Sequence, residues 1–158
     1  MALLVRKVRH DRWVCEDAEP LLQIGDVPAD PLPDLQTERN LLSVWELESD
    51  RSNLTRIVRA LSLGPDKVDH TGFVVFDSEH LDPAQIEIQE NPGTSPDGAI
   101  NHLHRDLVLS GKKLVALAHV LLRHGELGQL TRPILREMVE EGIRNGELRE
   151  ECRKKLRT

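Results

Sequence analysis

The residues whose types could do chemistry cluster in the second half of the chain. His102 and His104 lie two positions apart and are the candidate metal ligands, although on a helix their side chains would point about 200° apart. His102 and Asp106 are four positions apart, so on a helix they share a face and the carboxylate could orient the imidazole for acid–base catalysis. No Cys-x-x-Cys or His-Glu-x-x-His motif accompanies them. We therefore expect neither a metal nor a cofactor, and His102 with Asp106 is the alternative, enzymatic hypothesis.

Motifs for nucleophilic catalysis and phosphate binding are missing from the chain. Gly-x-Ser-x-Gly does not occur, and no closely spaced glycines follow the first clear strand, at residues 41–47. Cys15 is followed by Glu16 and Asp17, whose negative charges disfavour a thiolate. The sequence therefore favours a protein without enzymatic activity.

A proline-rich acidic segment at residues 15–39 carries the second set of candidates. Asp26, Asp30, Asp34 and Glu38 recur every four residues, but the prolines between them forbid a continuous helix. The Asp-x-Asp-x-Asp-Gly pattern of a calcium loop is absent. We expect a long solvated loop containing at most a short helix, and its four carboxylates are the predicted surface for a basic protein partner.

DNA binding is a further alternative, based on two predicted helices near the end of the chain. Helices at 110–123 and 131–144 are arranged loosely like a helix–turn–helix, and Arg132 and Arg136 would lie on the recognition helix. The connector at 124–130 is longer than the usual turn, and acidic residues follow Arg136. Nucleic acid is therefore not the expected partner.

The first part of the chain, residues 1–92, predicts an α/β sheet region. Strands are expected at 2–8, 41–47 and 73–76, with a further edge strand around Ile86 and Ile88. Between the second and third strands, apolar residues spaced as on one face of a helix predict an amphipathic helix that ends at Gly64. Strand, helix and strand in this order predict a βαβ unit with two parallel neighbouring strands.

The second part, residues 93–158, predicts a helical region packed on the first part as one compact unit. Ser95-Pro96 is a typical helix start, with Ile100, Leu103 and Leu107 on one face. Ser110 and Thr131 are the predicted N-caps of two more helices, and a short last helix would follow Gly146. The predicted fold class is α+β or α/β: a small mixed sheet with a βαβ unit, followed by three to four short helices.

Composition limits the compartment and the partners. The 158 residues include 21 basic and 27 acidic residues and carry a net charge of −6, which disfavours a general nucleic-acid binder. The charge is uneven, because residues 1–12 carry +3 and residues 13–50 carry −9. Two widely separated cysteines and no apolar stretch of membrane-spanning length favour a cytoplasmic protein, of bacterial type by its small size and high Arg content. We expect an interaction or accessory protein that acts through protein–protein contacts or self-association, with no membrane contact.

Overall fold

The computed structural model describes residues 1–158 and contains a single six-stranded sheet. Neighbouring strands are antiparallel throughout, in the order β4-β5-β2-β1-β3-β6. The strands are β1 (Leu3–Val8), β2 (Leu41–Leu47), β3 (Thr71–Asp77), β4 (Glu87–Glu90), β5 (His104–Val108) and β6 (Glu126–Leu130).

Five α-helices and four 3-10 segments accompany the sheet, and the predicted α+β class is confirmed. None of the helices combines the length and apolar character needed to span a membrane. The α-helices are α1 (His10–Trp13), α2 (Glu19–Gln23), α3 (Leu54–Leu61), α4 (Gly111–His124) and α5 (Arg132–Arg144). The 3-10 segments are Leu32–Leu35, Ser78–Ala84, Gly98–Leu103 and Glu150–Arg157.

The predicted βαβ unit differs from the structure in one respect. Because β2 and β3 are each antiparallel to β1, they run in the same direction, as expected. They are not neighbours, however, since β1 lies between them and pairs with both. The sheet is therefore purely antiparallel and not mixed. The prediction did not place the first strand of the chain between β2 and β3, where the structure has it.

The region 93–158 contains four helical segments, as predicted, but it also contributes two strands to the sheet. Residues 104–108 form β5, where the prediction continued a helix through Leu107. The connector expected at 124–130 is largely β6, which pairs with β3. Period-two alternation was hidden in β5 because one face of the strand carries the buried polar residues His104 and Asp106.

The sheet is covered on both faces. Alternate residues of the strands face α4, which packs Leu117 and Leu121 into the larger core cluster. The opposite face packs against α3 through Ile57 and Ala60, while Val58 of α3 and Phe73 of β3 pack against the core cluster that contains α5 residues. The result is a three-layer arrangement, with α4 on one face of the sheet and α3 and α5 on the other.

The acidic segment at 15–39 is not a solvated loop throughout. It folds into α2 and a 3-10 turn, and Leu22, Val27 and Leu35 join the core on the α4 side of the sheet. The Nε2 atom of His119 on α4 lies 2.9 Å from the Leu22 carbonyl oxygen. The apolar residues of this segment thus anchor it, while most of its carboxylates remain outside.

A buried ion network holds the helical layer together. Asp97, with 0% exposed side chain, accepts hydrogen bonds from Arg56 Nε at 2.6 Å and Arg59 Nη2 at 3.2 Å. Glu147, which follows α5, lies 2.9 Å from Arg56 Nη1 and 3.5 Å from Arg59 Nη2. Three segments far apart in the chain are thereby joined: α3, the loop before β5, and the end of α5.

Gly142 on α5 makes room for this network. A Cβ atom at this position would lie 2.7 Å from Arg59 Nη1 and 2.8 Å from its Cζ. The guanidinium of Arg59 therefore lies directly against the backbone of α5. Only glycine allows that approach without displacing the arginine.

Replacing the central carboxylate should destabilise the fold strongly. We expect Asp97→Asn to lower the free energy of unfolding by about 3–5 kcal/mol, because it leaves buried arginine charge uncompensated. Burial raises the pKa of Asp97, but hydrogen bonds from Arg56 and the positive charges of Arg56 and Arg59 outweigh burial and bring the pKa below its ordinary value of 3.8. The stability from Asp97 is therefore present above that value and is lost as the pH falls through its folded-state pKa.

Urea titration of the wild type and Asp97→Asn, repeated at acidic pH, measures both effects. The control is Asp66→Asn, because the Asp66 side chain is exposed and makes no ion pair. Equal unfolding free energies for wild type and Asp97→Asn would show that the network does not stabilise the fold.

Candidate functional site

The sheet opens between β1 and β2. The ladder of these strands covers only Leu3–Val5 paired with Leu47–Trp45, whereas β1 pairs with β3 along its whole length. Beyond Val5 the two strands separate, and the Arg6 guanidinium bridges the gap. It donates to the Ser43 carbonyl oxygen at 2.8 Å and to the Asp34 carbonyl oxygen at 2.9 Å.

A cavity of about 870 Å³ lies at this opening. Its walls come from β1, β2, the end of α3 and the loop between α3 and β3. We call it the basic cleft and define it by Arg6, Lys7, Ser43, Trp45, Leu61 and Lys67.

The positive charges of the basic cleft form no ion pair with a carboxylate, although Asp69 also lines the cavity. Lys7 Nζ donates to the Leu61 carbonyl oxygen at 2.9 Å, Arg6 contacts main-chain oxygens, and Lys67 is exposed without an ion pair. Burial lowers the pKa of Lys7, the charge of Asp69 opposes this effect, and the charge of Arg6 adds to it. Burial also lowers the pKa of Arg6, and the charge of Asp34 opposes this effect. These cations are thus partly desolvated and only partly compensated by Asp69 and Asp34, and the remaining positive charge favours an anionic ligand.

Two carboxylates at the edge of the cleft, those of Asp34 and Asp11, already have hydrogen-bond partners. Asp34 accepts from Arg12 Nη1, the Trp13 indole Nε1 and the Arg9 amide, each at 2.8 Å. Asp11 is paired with the Arg9 side chain at 3.0 Å. Neither carboxylate forms an ion pair with Arg6, Lys7 or Lys67, but the charge of Asp34 does raise the pKa of Arg6.

A second cavity of about 650 Å³ adjoins the basic cleft and shares Ser43, Trp45 and Leu61 with it. We call it the polar groove and define it by Trp45, Asn91, Gly93, His104 and Asp106. The Trp45 and His104 rings meet edge to face with centroids 5.0 Å apart. A Cβ atom on Gly93 would lie 2.6 Å from the Trp45 ring, so glycine lets the loop before β5 pack closely against this pair.

Asn91 holds both polar side chains of the groove. Its carbonyl oxygen lies 2.6 Å from His104 Nδ1, and its side-chain amide donates to Asp106 Oδ2 at 2.7 Å. The remaining atoms, His104 Nε2 and Asp106 Oδ1, are 3.8 Å apart. Both side chains are about nine-tenths buried, with 10% and 7% of their surfaces exposed.

The predicted pair of His102 and Asp106 is not brought together by a helix. His102 is exposed in the 3-10 segment Gly98–Leu103, whereas Asp106 is buried on β5. Because alternate residues of a strand share a face, His104 is the histidine that accompanies Asp106. The predicted metal pair of His102 and His104 likewise spans the boundary between two elements, and no group of three or more His, Cys, Asp or Glu side chains lies together.

The four carboxylates of the predicted partner surface have different surroundings. Asp26, Asp30 and Glu38 are exposed, and for them the partner surface stays a prediction. Asp34 has only 10% of its side chain exposed and holds α1 in place through Trp13 and Arg12. Asp34 therefore has a structural role in the chain.

The two arginines of the DNA-binding hypothesis contact the end of the chain. Arg132 donates to the Thr158 main-chain oxygen, and Arg136 donates to the main-chain oxygens of Thr158 and Leu156. In addition, β6 lies between α4 and α5, so these helices are not joined by the short turn of a helix–turn–helix.

The residues of the basic cleft were missed in the sequence. The one signal was the charge of +3 over residues 1–12, which contains Arg6 and Lys7. Nothing in the sequence relates that segment to Lys67, because the two meet only through the pairing of β1 with β3.

Comparison with known proteins adds no identification. No family model matches the chain, and neither a curated protein nor a solved structure matches it significantly.

Two other histidines form a stacked pair outside these cavities. The rings of His80 and His124 are parallel, with centroids 4.0 Å apart. Burial lowers the pKa of His124, and the charges of His80, Arg123 and His119 lower it further. The folded state therefore binds a proton at His124 more weakly than the unfolded chain does.

This pair should make the stability of the protein depend on pH. Since the folded-state pKa is depressed, we expect unfolding free energy to fall as the pH drops through the ordinary histidine pKa of about 6.5. His80→Gln should reduce that dependence by removing one repelling charge. Urea titration at about pH 7.5 and about pH 5.5, on either side of that pKa, measures it. His102→Gln, an exposed histidine elsewhere, is the control, and an equal pH dependence in wild type and His80→Gln would contradict the prediction.

Proposed function

We propose that this protein is a non-enzymatic binding module that takes an acidic segment of a protein partner into the basic cleft. The observation that supports it is the incompletely compensated positive charge of Arg6, Lys7 and Lys67 around a cavity of about 870 Å³. The site is proposed to act in a reducing, cytoplasmic compartment, which is consistent with the free thiols of Cys15 and Cys152.

Charge complementarity favours a carboxylate-bearing ligand. A buried or half-buried cation loses hydration, and a carboxylate at hydrogen-bond distance offsets that loss. Arg6 contributes charge rather than a free donor, because its two terminal nitrogens hold Ser43 and Asp34 and its Nε atom is buried without a hydrogen-bond partner.

The shape of the site favours an extended peptide over a compact ion. The basic cleft continues into the polar groove along β2, so a bound chain would extend from the cations across Trp45. Tryptophan is a frequent anchor at protein interfaces because it offers a large, rigid apolar surface. An acidic side chain near Lys7 and an apolar one over Trp45 would use both features.

The alternatives considered for this chain have less support from the geometry. Arg132 and Arg136 already bind main-chain oxygens, and an overall charge of −6 disfavours phosphate backbones. For the enzymatic alternative, His102 and Asp106 lie on different elements. Self-association would fit the same chemistry if residues 26–38 of a second copy supplied the acidic segment.

Binding of a labelled acidic peptide tests the proposal. We expect fluorescence anisotropy to show saturable binding of a short Asp- and Glu-rich peptide, weakening as salt is added, and little binding of the matching Asn and Gln peptide. Lys7→Met should weaken binding roughly ten- to hundred-fold, because a hydrogen bond to a charged group contributes roughly 1.5–3 kcal/mol. Lys67→Gln should weaken it less, since Lys67 is exposed.

Lys112→Gln is the matched control, because Lys112 is an exposed lysine at the start of α4. Equal binding of the acidic and neutral peptides would contradict the proposal, and so would an equal loss of peptide affinity in Lys112→Gln and Lys7→Met. Displacement of the peptide by an equal concentration of inorganic phosphate would show a small-anion site instead. Light scattering of the purified chain distinguishes a second copy from a different partner.

A further inference from the structure

We propose that His104 and Asp106 in the polar groove bind a divalent transition-metal ion of the zinc class. The two side chains lie on one face of β5 and line the same cavity of about 650 Å³. This inference is separate from the proposed binding of an acidic segment, which depends on the cations of the basic cleft.

The hydrogen bond to Asn91 decides which imidazole nitrogen is free. A carbonyl oxygen only accepts hydrogen bonds, so the 2.6 Å contact requires that Nδ1 of His104 carries the proton. In the neutral ring the lone pair is then on Nε2, which makes no hydrogen bond of its own. This is the state in which histidine ligates a metal.

The distance between the two free atoms fits a single bridging ion. Zinc bonds of about 2.0–2.1 Å to nitrogen and about 2.0–2.2 Å to oxygen add up to about 4.2 Å. The observed separation of 3.8 Å between His104 Nε2 and Asp106 Oδ1 is slightly shorter than that sum. One ion can therefore reach both atoms with an open ligand–metal–ligand angle and no rearrangement of the backbone.

Asn91 supplies the outer support that metal ligands usually have. A metal-binding histidine typically donates its other N–H to a carbonyl or carboxylate, and a ligating carboxylate is itself hydrogen-bonded. Here one residue does both, through its main-chain oxygen to His104 and its amide to Asp106 Oδ2. The pair is thus oriented before any ion arrives.

The donor set favours particular metals. An imidazole nitrogen with one carboxylate suits zinc, copper, nickel or cobalt better than magnesium or calcium, which prefer oxygen ligands. No third His, Cys, Asp or Glu completes a cluster, so water or a ligand in the groove would fill the other positions. With two protein ligands, one fewer than a typical catalytic zinc site has, we expect an open, exchangeable site and not a closed structural one.

Isothermal titration calorimetry of the full chain, with Zn²⁺ as the only added ligand, tests the site. We expect one ion per chain, and Co²⁺ should give the visible absorption of a nitrogen- and oxygen-ligated ion. His104→Gln and Asp106→Asn should each weaken Zn²⁺ binding at least ten-fold. Asn91→Ala should weaken it about ten- to hundred-fold, because removing a residue that hydrogen-bonds the metal ligands typically costs that much affinity. Long-range ¹H–¹⁵N NMR should show Zn²⁺ shifting the Nε2 resonance of His104.

His102→Gln is the matched control, because His102 is exposed two positions away and should leave the affinity unchanged. Absence of saturable binding, or equal affinity of wild type and His104→Gln, would overturn the site. Loss of Zn²⁺ affinity in His102→Gln alone would assign the ion to surface histidines and would also overturn the proposed site. If His104→Gln does not fold, as circular dichroism would show, Asp106→Asn and the NMR shift decide. Since metal ions are the only probes of this site, failure here leaves peptide binding at Lys7 unaffected, and the reverse also holds.

Discussion

The buried carboxylate of Asp97 is the constraint on which the arrangement of both cavities depends. A carboxylate with no exposed surface requires cationic partners, and Arg56 and Arg59 of α3 provide them. Because Glu147 holds the same arginines from the end of α5, the position of α3 is determined from two sides. The C-terminal end of α3 in turn forms a wall of the basic cleft and of the polar groove, so the geometry of both depends on an ion network that neither contains.

The basic cleft illustrates how an incomplete strand pairing creates a site. Where β1 and β2 separate, the main-chain oxygen of Ser43 has no partner on β1 and accepts a hydrogen bond from a side chain instead. Arg6 supplies it, so a cation is placed at the opening by the needs of the backbone. The same side chain that completes the hydrogen bonding of the sheet thus also gives the cleft its charge, on a protein that is acidic overall.

The two cavities share Trp45 but differ in chemistry. The basic cleft offers partly desolvated cations, whereas the polar groove offers two free acceptor atoms, His104 Nε2 and Asp106 Oδ1, held by Asn91. The two proposed sites would therefore accept an anionic and a cationic group at neighbouring positions along β2. A ligand that extended through both would meet opposite requirements at its two ends, which is a common basis of orientation and specificity.

Local patterns in the sequence determined the elements whose signals are contained within one segment. Strand β2 and helices α3, α4 and α5 were predicted from apolar periodicity, caps and stops, and Ser110 does cap α4. Only the tertiary structure decided the central place of β1, the existence of β5 and β6, the meeting of His104 with Asn91, and the placement of Lys7 and Lys67 around one cavity. The reason is physical: a strand such as β6 is stabilised by hydrogen bonds to a distant partner, and a buried polar face such as that of β5 is tolerated only because its partners come from another segment.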